Sequence, residues 1–384
     1  MFSYASVMCL FFFLAENSVA EKIIVDDLTR ENYLKNLSFV EEGNYQEKSL
    51  SEIKKGPEAS FHHFNQKEPL YCRYKFRKNR GTNPKFRCYL TDQYGIFIDR
   101  DTKEKGGPIE LKVKYKKPFS SDQKKERDMY TEVFASRLLW ALGFVADRVY
   151  PTKEVVCFDC PVDPFSRPEV DFGSKISFPD ASVEYPYSKI KVISESRIGW
   201  SFQEINRLRK GGHLSRKTRI EFEALVALMA ILVHSSNLTN QQKMILEQKD
   251  SLKAKGYVHD LGSTLGSQYR FIGFSYSKSN LQDWRSFPLW EKESKCLFSL
   301  KFHDKSYFFS EKIRITESGK EFLVSRLKSL VADPQLGDKR LRYLFSVAKF
   351  MGADPKVISI DEWVEVFKEK VKSLQRGRCP DSLI

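Results

Sequence analysis

The apolar positions of this chain change period several times, and each change marks an element. Leu70-Tyr71-Cys72-Arg73-Tyr74-Lys75-Phe76 alternates apolar and polar residues, as a strand with one buried face does. The turn formers Asn79-Arg80-Gly81-Thr82-Asn83-Pro84 follow, and Phe86-Arg87-Cys88-Tyr89-Leu90 continues the sheet. Ile109 to Tyr115 (IELKVKY) is the cleanest strand: Leu111, Val113 and Tyr115 share one face, Lys112 and Lys114 the other. The period then lengthens to that of a helix. Ser120, Ser121 or Asp122 can cap its start, Tyr130, Val133, Phe134, Leu138, Leu139 and Leu142 form its apolar face, and Gly143 suits its end. Val149 to Cys157 returns to strand.

The later half reads as more helical. Arg219 to His234 (RIEFEALVALMAILVH) is apolar nearly all round, which predicts a buried central helix. Tyr257-Val258-His259-Asp260 is a short strand ending at Asp260-Leu261-Gly262. Helices are expected at 317–331, 335–351 and 360–375. The chain divides into a leader at 1–20, an irregular polar extension at 21–68, a β-rich part at 69–157, a Pro-, Asp- and Ser-rich loop at 158–190, and a mainly helical part at 191–384. The fold class is α+β. Internal repeats, heptads and low-complexity tracts are absent from the sequence.

Residues 1–20 have an apolar run from Val7 to Ala15 and end in Ser18-Val19-Ala20, small residues where a signal peptidase cuts. No Lys or Arg precedes the run, which falls short of the ~20 residues that span a bilayer. The expectation is an exported protein, periplasmic or secreted. Export changes the meaning of Cys72, Cys88, Cys157, Cys160, Cys296 and Cys379, which become candidates for disulfides. Cys157-Phe158-Asp159-Cys160 has no second CxxC and no HxxxH after it, so structural pairing, within the loop or to Cys296, outweighs a zinc or redox site. The net charge of +14 favours anionic partners: nucleotides, acidic proteins or an envelope polymer. Its Lys and Arg are dispersed and no nucleic-acid-binding motif is present, so nucleic acid is not expected as a partner.

The candidate chemistry lies in an order of parts. A Gly-containing turn leads to a strand bearing Lys112 and Lys114, and the next helix carries Glu132. A buried helix ends in His234-Ser235-Ser236-Asn237-Leu238-Thr239-Asn240-Gln241, and a later strand delivers Asp260-Leu261-Gly262. Phosphoryl transfer needs cations on the phosphates, a base on the attacking hydroxyl and oxygen ligands for Mg²⁺. The order resembles that of a two-lobe protein-kinase-like fold of the atypical branch, which includes secretory-pathway and phosphatidylinositol kinases. The pieces Lys112–Tyr115, Glu132–Phe144, Cys157–Pro161, Ser236–Gln242 and His259–Gly262 are similar, in order, to a bacterial family of exported, uncharacterised proteins. That resemblance covers roughly residues 70–300.

The resemblance implies ATP and Mg²⁺ as cofactors. Lys114 (or Lys112) becomes the phosphate lysine and Glu132 its partner. His234, Ser236 and Asn237 fall in the catalytic loop, and Gln241 and Asp260 fall on the metal ligands. The chain departs from the pattern at Ser236, where Asp is expected, and at Leu238 and Asn240, where Lys and Glu are. Serine cannot supply the carboxylate that orients a substrate proton, so the expectation is a nucleotide-binding kinase or pseudokinase with impaired or absent phosphotransfer. The competing expectation is a non-enzymatic exported scaffold for acidic partners. Taken singly, Lys114 is one lysine among many, Glu132 sits among basic neighbours, His234 is a helix-end cap, and Asp260-Leu261-Gly262 is a strand-to-turn signal. GxSxG, HExxH and Walker loops are absent.

Overall fold

The computed structural model describes residues 22–41, 45–57, 68–77, 84–98, 107–116, 127–185, 190–194, 199–235, 237, 242–246, 248, 253–271, 274–303, 308–331, 336–350 and 359–382. The leader at 1–20, the turn at 79–83 and the helix caps at 120–122 therefore lie outside the described residues.

The polar segment read as an irregular extension holds regular structure. Strand β1 (Lys22–Val25) is followed by α1 (Asp27–Lys35) and α2 (Leu50–Lys55). The local signals are caps, not periodicity. The Asp26 carboxylate accepts the Thr29 N–H, and Ser49 with Glu52 forms a capping box. Leu34, Leu37, Phe39 and Ile53 then bury themselves in the main core.

Next come β2 (Leu70–Lys75), β3 (Lys85–Thr91), β4 (Glu110–Lys114), α3 (Arg127–Ala141), β5 (Arg148–Phe158) and β6 (Lys175–Tyr185). The strands close into a barrel in the order β2-β3-β4-β6-β5, all antiparallel except the parallel β2–β5 pair. Its interior is filled by Cys72, Phe86, Cys88, Leu111, Val113, Tyr115, Tyr150, Cys157, Phe178 and Val183, among others. The alternation at 109–115 therefore has the sense the sequence predicts. Residues 158–190 are not a continuous loop, because β6 pairs with both β4 and β5 and completes the barrel. Its interior positions change parity at Pro179-Asp180: Ile176 and Phe178 face in before it, Ala181, Val183 and Tyr185 after it, and Asp180 has φ +48°. A period-2 pattern broken in the middle does not read as one strand.

The remainder is mixed rather than mainly helical. It comprises β7 (Ile190–Ser194), α4 (Phe202–Lys210), α5 (Arg216–Leu232), β8 (Lys243–Leu246), β9 (Ala254–Tyr257), β10 (Gly266–Phe271), β11 (Phe274–Ser279), α6 (Leu281–Ser286), β12 (Leu297–His303), β13 (Phe308–Arg314), α7 (Glu317–Val331), α8 (Leu336–Phe350) and α9 (Ile360–Arg376). A second sheet runs β1-β7-β8-β9, and two hairpins pair β10 with β11 and β12 with β13. Helix α5 is buried on every side from Glu221 onward, as its all-round apolar sequence predicts. It shares its core with α3, α7, α8 and α9. Disulfides join Cys72 to Cys88, Cys157 to Cys160 and Cys296 to Cys379. Among the described residues, no helix is long and apolar enough to cross a membrane.

Candidate functional site

Strand β4 turns Leu111 and Val113 into the barrel, which leaves Lys112 and Lys114 on its outer face, toward α3 and the turn after β9. Lys114 is not one of the solvated lysines. Its side chain is 6% exposed, and its Nζ lies 2.6 Å from Oε2 of Glu132, which is fully buried on α3. A carboxylate oxygen of Asp260 stands 3.6 Å from the same ammonium. The structure thus brings together Lys114, Glu132 and Asp260 from three elements far apart in sequence. Burial alone would favour the neutral amine, but Glu132, Asp260 and Glu184 overcome it and hold Lys114 more firmly charged than a free lysine.

Two anchors fix the Asp260 turn. The Thr131 hydroxyl, adjacent to Glu132 on α3, donates to the Gly262 carbonyl at 2.5 Å. Asp147 Oδ2 accepts the Asp260 backbone N–H at 3.2 Å and lies 2.6 Å from His259 Nδ1. A bridge between Ala146 and Val258 brings these two segments side by side. The backbone at Asp260 is left-handed, with φ +62°. This conformation is rare for a residue with a side chain and is held here by the bonds on either side. The Asp260 carboxylate is 41% exposed. Desolvation opposes its ionisation, yet Lys114, Lys112, His259 and Lys85 keep it well below the usual carboxylate range.

Lys112 pairs with Glu184 on β6, directly opposite it in the register. Burial disfavours charge on Glu184 too, and Lys112, His259 and Lys114 reverse the balance. Ligand atoms of Asp147, Glu184 and His259 lie within 4.8 Å of one another. Asp147, Glu184 and His259 could thus converge on one cation, while Asp260 offers a separate, more exposed carboxylate beside Lys114. Asp147, Glu184 and Lys85 carry no motif in the sequence. Asp147 follows a helix-ending Gly-Phe-Val-Ala stretch, and Glu184 lies where the composition reads as loop.

The other predicted residues divide. His234 and Asn237 are buried just beyond α5, where Val233 (φ +50°) ends the helix. Asn237 Nδ2 donates to the His234 carbonyl at 2.8 Å. This loop is laced to the Asp260 turn: Ser235 N–H donates to Ser263 O at 3.1 Å, and Leu265 N–H to Leu232 O at 2.8 Å. Gln242 Oε1 accepts the His259 N–H at 3.2 Å. Ser236 and Gln241 lie outside the described residues.

No family model matches the chain, and no curated protein does. Among solved structures, it is similar to a Helicobacter pylori proinflammatory kinase, CtkA. That similarity has 9% identity and a TM-score of 0.42, over 81% of this chain and 95% of that one. A likeness this low fixes neither the fold nor the chemistry.

Proposed function

We propose that the chain is an exported protein with a two-lobe, kinase-like α+β fold, the barrel forming one lobe, and that it binds a magnesium nucleotide beside Lys114, Glu132 and Asp260. The observation that carries this reading is the Lys114 ammonium standing between the buried Glu132 and the exposed, ionised Asp260. Phosphate binding needs a cation held in place before the ligand arrives. Glu132 supplies that restraint, because it is fully buried and cannot follow the lysine into solvent. Asp260 is the oxygen ligand for Mg²⁺, with Gln241 as its sequence-assigned companion. The accessibility and ionised state of Asp260 fit a hard cation. When bound, Mg²⁺ would neutralise phosphate oxygens. Lys114 then orients the phosphates, and the Thr131 and Asp147 bonds keep the Asp260 turn from relaxing.

Phosphotransfer is impaired in this reading. Between Glu223 and Glu247 the sequence has no carboxylate to serve as base, and Ser236 stands at the expected position. Glu223 is itself committed, accepting from Arg209 and from Thr316. Three disulfides support a compartment that oxidises thiols.

The test is thermal unfolding of the purified chain with and without Mg²⁺-ATP. A ligand that binds only the native state at a hundred times its Kd should raise Tm by about 3–4 °C in a chain of this size. Asp260→Asn should remove the metal-dependent part of the rise and leave the protein folded. An equal rise in the variant would count against the reading. A second reading, a non-enzymatic scaffold for an acidic partner, is favoured by the charge of +14. It predicts polyanion binding that weakens steeply with salt and ignores nucleotide.

A further inference from the structure

The charges around Asp260 do not pair off completely. Lys114 is taken by Glu132, and Lys112 by Glu184. Lys85 remains. It opens β3 and sits directly opposite Lys114 in the antiparallel register. Residues opposed in this way project from the same face of the sheet with Cβ atoms about 5 Å apart, so the two ammonium groups share one side of the barrel wall. Lys85 is half-buried, and neither a hydrogen bond nor an ion pair reaches its ammonium among the described residues. Its electrostatic neighbours are Lys112 and Lys114 on β4, Glu132 on α3, and Asp260. The two carboxylates are more strongly engaged by Lys114.

A half-buried ammonium beside two others is unfavourable in the free protein. Burial and the like charges bring it down to about 8. An anion arriving on this face would relieve the repulsion, which gives Lys85 differential affinity for ligands that bring more negative charge. One phosphate can be gathered by Lys114 alone. A second lysine on the neighbouring strand is useful to a ligand with several linked anionic groups.

Resting on the nucleotide reading above, we propose that Lys85 binds the anionic tail of the ligand, so that the site selects polyphosphates and takes nucleoside di- and triphosphates over monophosphates.

The experiment is calorimetric titration of the full chain and of Lys85→Met with Mg²⁺-ATP, AMP and inorganic tripolyphosphate. Lys85→Gln serves as a second variant, and Tm is recorded for each protein. Removing Lys85 takes away a like-charge contact, so neither variant should lose stability. The wild type should bind ATP and tripolyphosphate more tightly than AMP. Lys85→Met should weaken both by about tenfold, the weight of one charge-assisted hydrogen bond, while AMP changes by less than about twofold. Unchanged discrimination between ATP and AMP in both variants would overturn the role of Lys85 and leave the nucleotide site standing. Tripolyphosphate binding that depends on Lys85, with no gain from the nucleoside, would keep the polyphosphate site and remove the nucleotide reading. Failure of the wild type to bind any of the three would overturn both.

Discussion

Asp147 Oδ2 accepts the backbone N–H of Asp260 at 3.2 Å, so a buried carboxylate sets the backbone of an exposed one. The same oxygen holds His259 Nδ1 at 2.6 Å. Asp147→Ala strands a backbone donor and an imidazole together. A cost of about 1–3 kcal/mol in urea unfolding is expected. Nucleotide affinity should also fall in Mg²⁺ more than in EDTA, because the turn that presents Asp260 is loosened. Asp147→Asn keeps an acceptor for the Asp260 N–H and should retain more of the metal dependence. Equal losses with and without metal would make Asp147 a purely structural residue.

Lys114 and Glu132 form a buried pair in which neither partner has water to fall back on. Glu132→Ala leaves the ammonium with the more distant Asp260 and Glu184 and should cost about 3–5 kcal/mol. Lys114→Met strands Glu132 in the same way. The double variant Lys114→Met/Glu132→Leu replaces both charges with apolar volume and should be more stable than the sum of the single losses predicts. Chemical unfolding of the four proteins gives the coupling directly. Additivity within about 0.5 kcal/mol would mean that the pair is not energetically coupled.

What the sequence discloses about this site follows local pattern. The alternation of IELKVKY separates Lys112 and Lys114 from the barrel interior, the apolar period of α3 carries Glu132, and the strand-to-turn signal marks Asp260. None of these signals says that Lys114 is buried, since a lysine on an outward face is normally solvated. The burial comes from α3 and the Asp260 turn closing over that face. Asp147 and Glu184 were illegible for a different reason. Each takes its role from a partner far along the chain, Asp147 from His259 and Glu184 from Lys112. Strand β6 was hidden by the parity change at Pro179-Asp180, and the ordered N-terminal helices by their polarity. In α1 and α2 the caps supply the local signal and burial against the main core supplies the rest.

The three disulfides should differ in what they contribute. Cys296–Cys379 spans 83 residues and ties the chain beyond α9 to the start of β12, whereas Cys157–Cys160 spans three. If cross-links act chiefly by restricting the unfolded chain, the long loop is worth about 4–5 kcal/mol and the short one about 1–2. Replacing Cys296 and Cys379 by Ala should therefore lower the urea midpoint well below that of the Cys157/Cys160 double variant. The Glu317 carboxylate, which accepts the Cys379 N–H at 2.9 Å, remains to hold the segment in place, so the fold itself should survive.

Lys85 also makes stability depend on pH with a definite sign. Burial comes first, then the charges of Lys114 and Lys112, and together they bring Lys85 from 10.5 down to about 8; Asp260 and Glu132 oppose the shift without reversing it. Between those two values the unfolded chain holds a proton on Lys85 that the folded chain has released. Stability contributed through this residue must therefore rise with pH over that window and be flat below it. Other groups titrate in the same range, so the quantity to measure is the difference in unfolding free energy between wild type and Lys85→Met. Near pH 7 the wild type bears the full repulsion and should be the less stable of the two. The gap should narrow as pH rises from about 8 toward 10, once Lys85 sheds its charge in the folded state. A difference independent of pH would mean that Lys85 keeps its proton, and that the cluster does not repel it as the register implies. Saturating tripolyphosphate should flatten the same curve, because a bound anion restores the charged lysine.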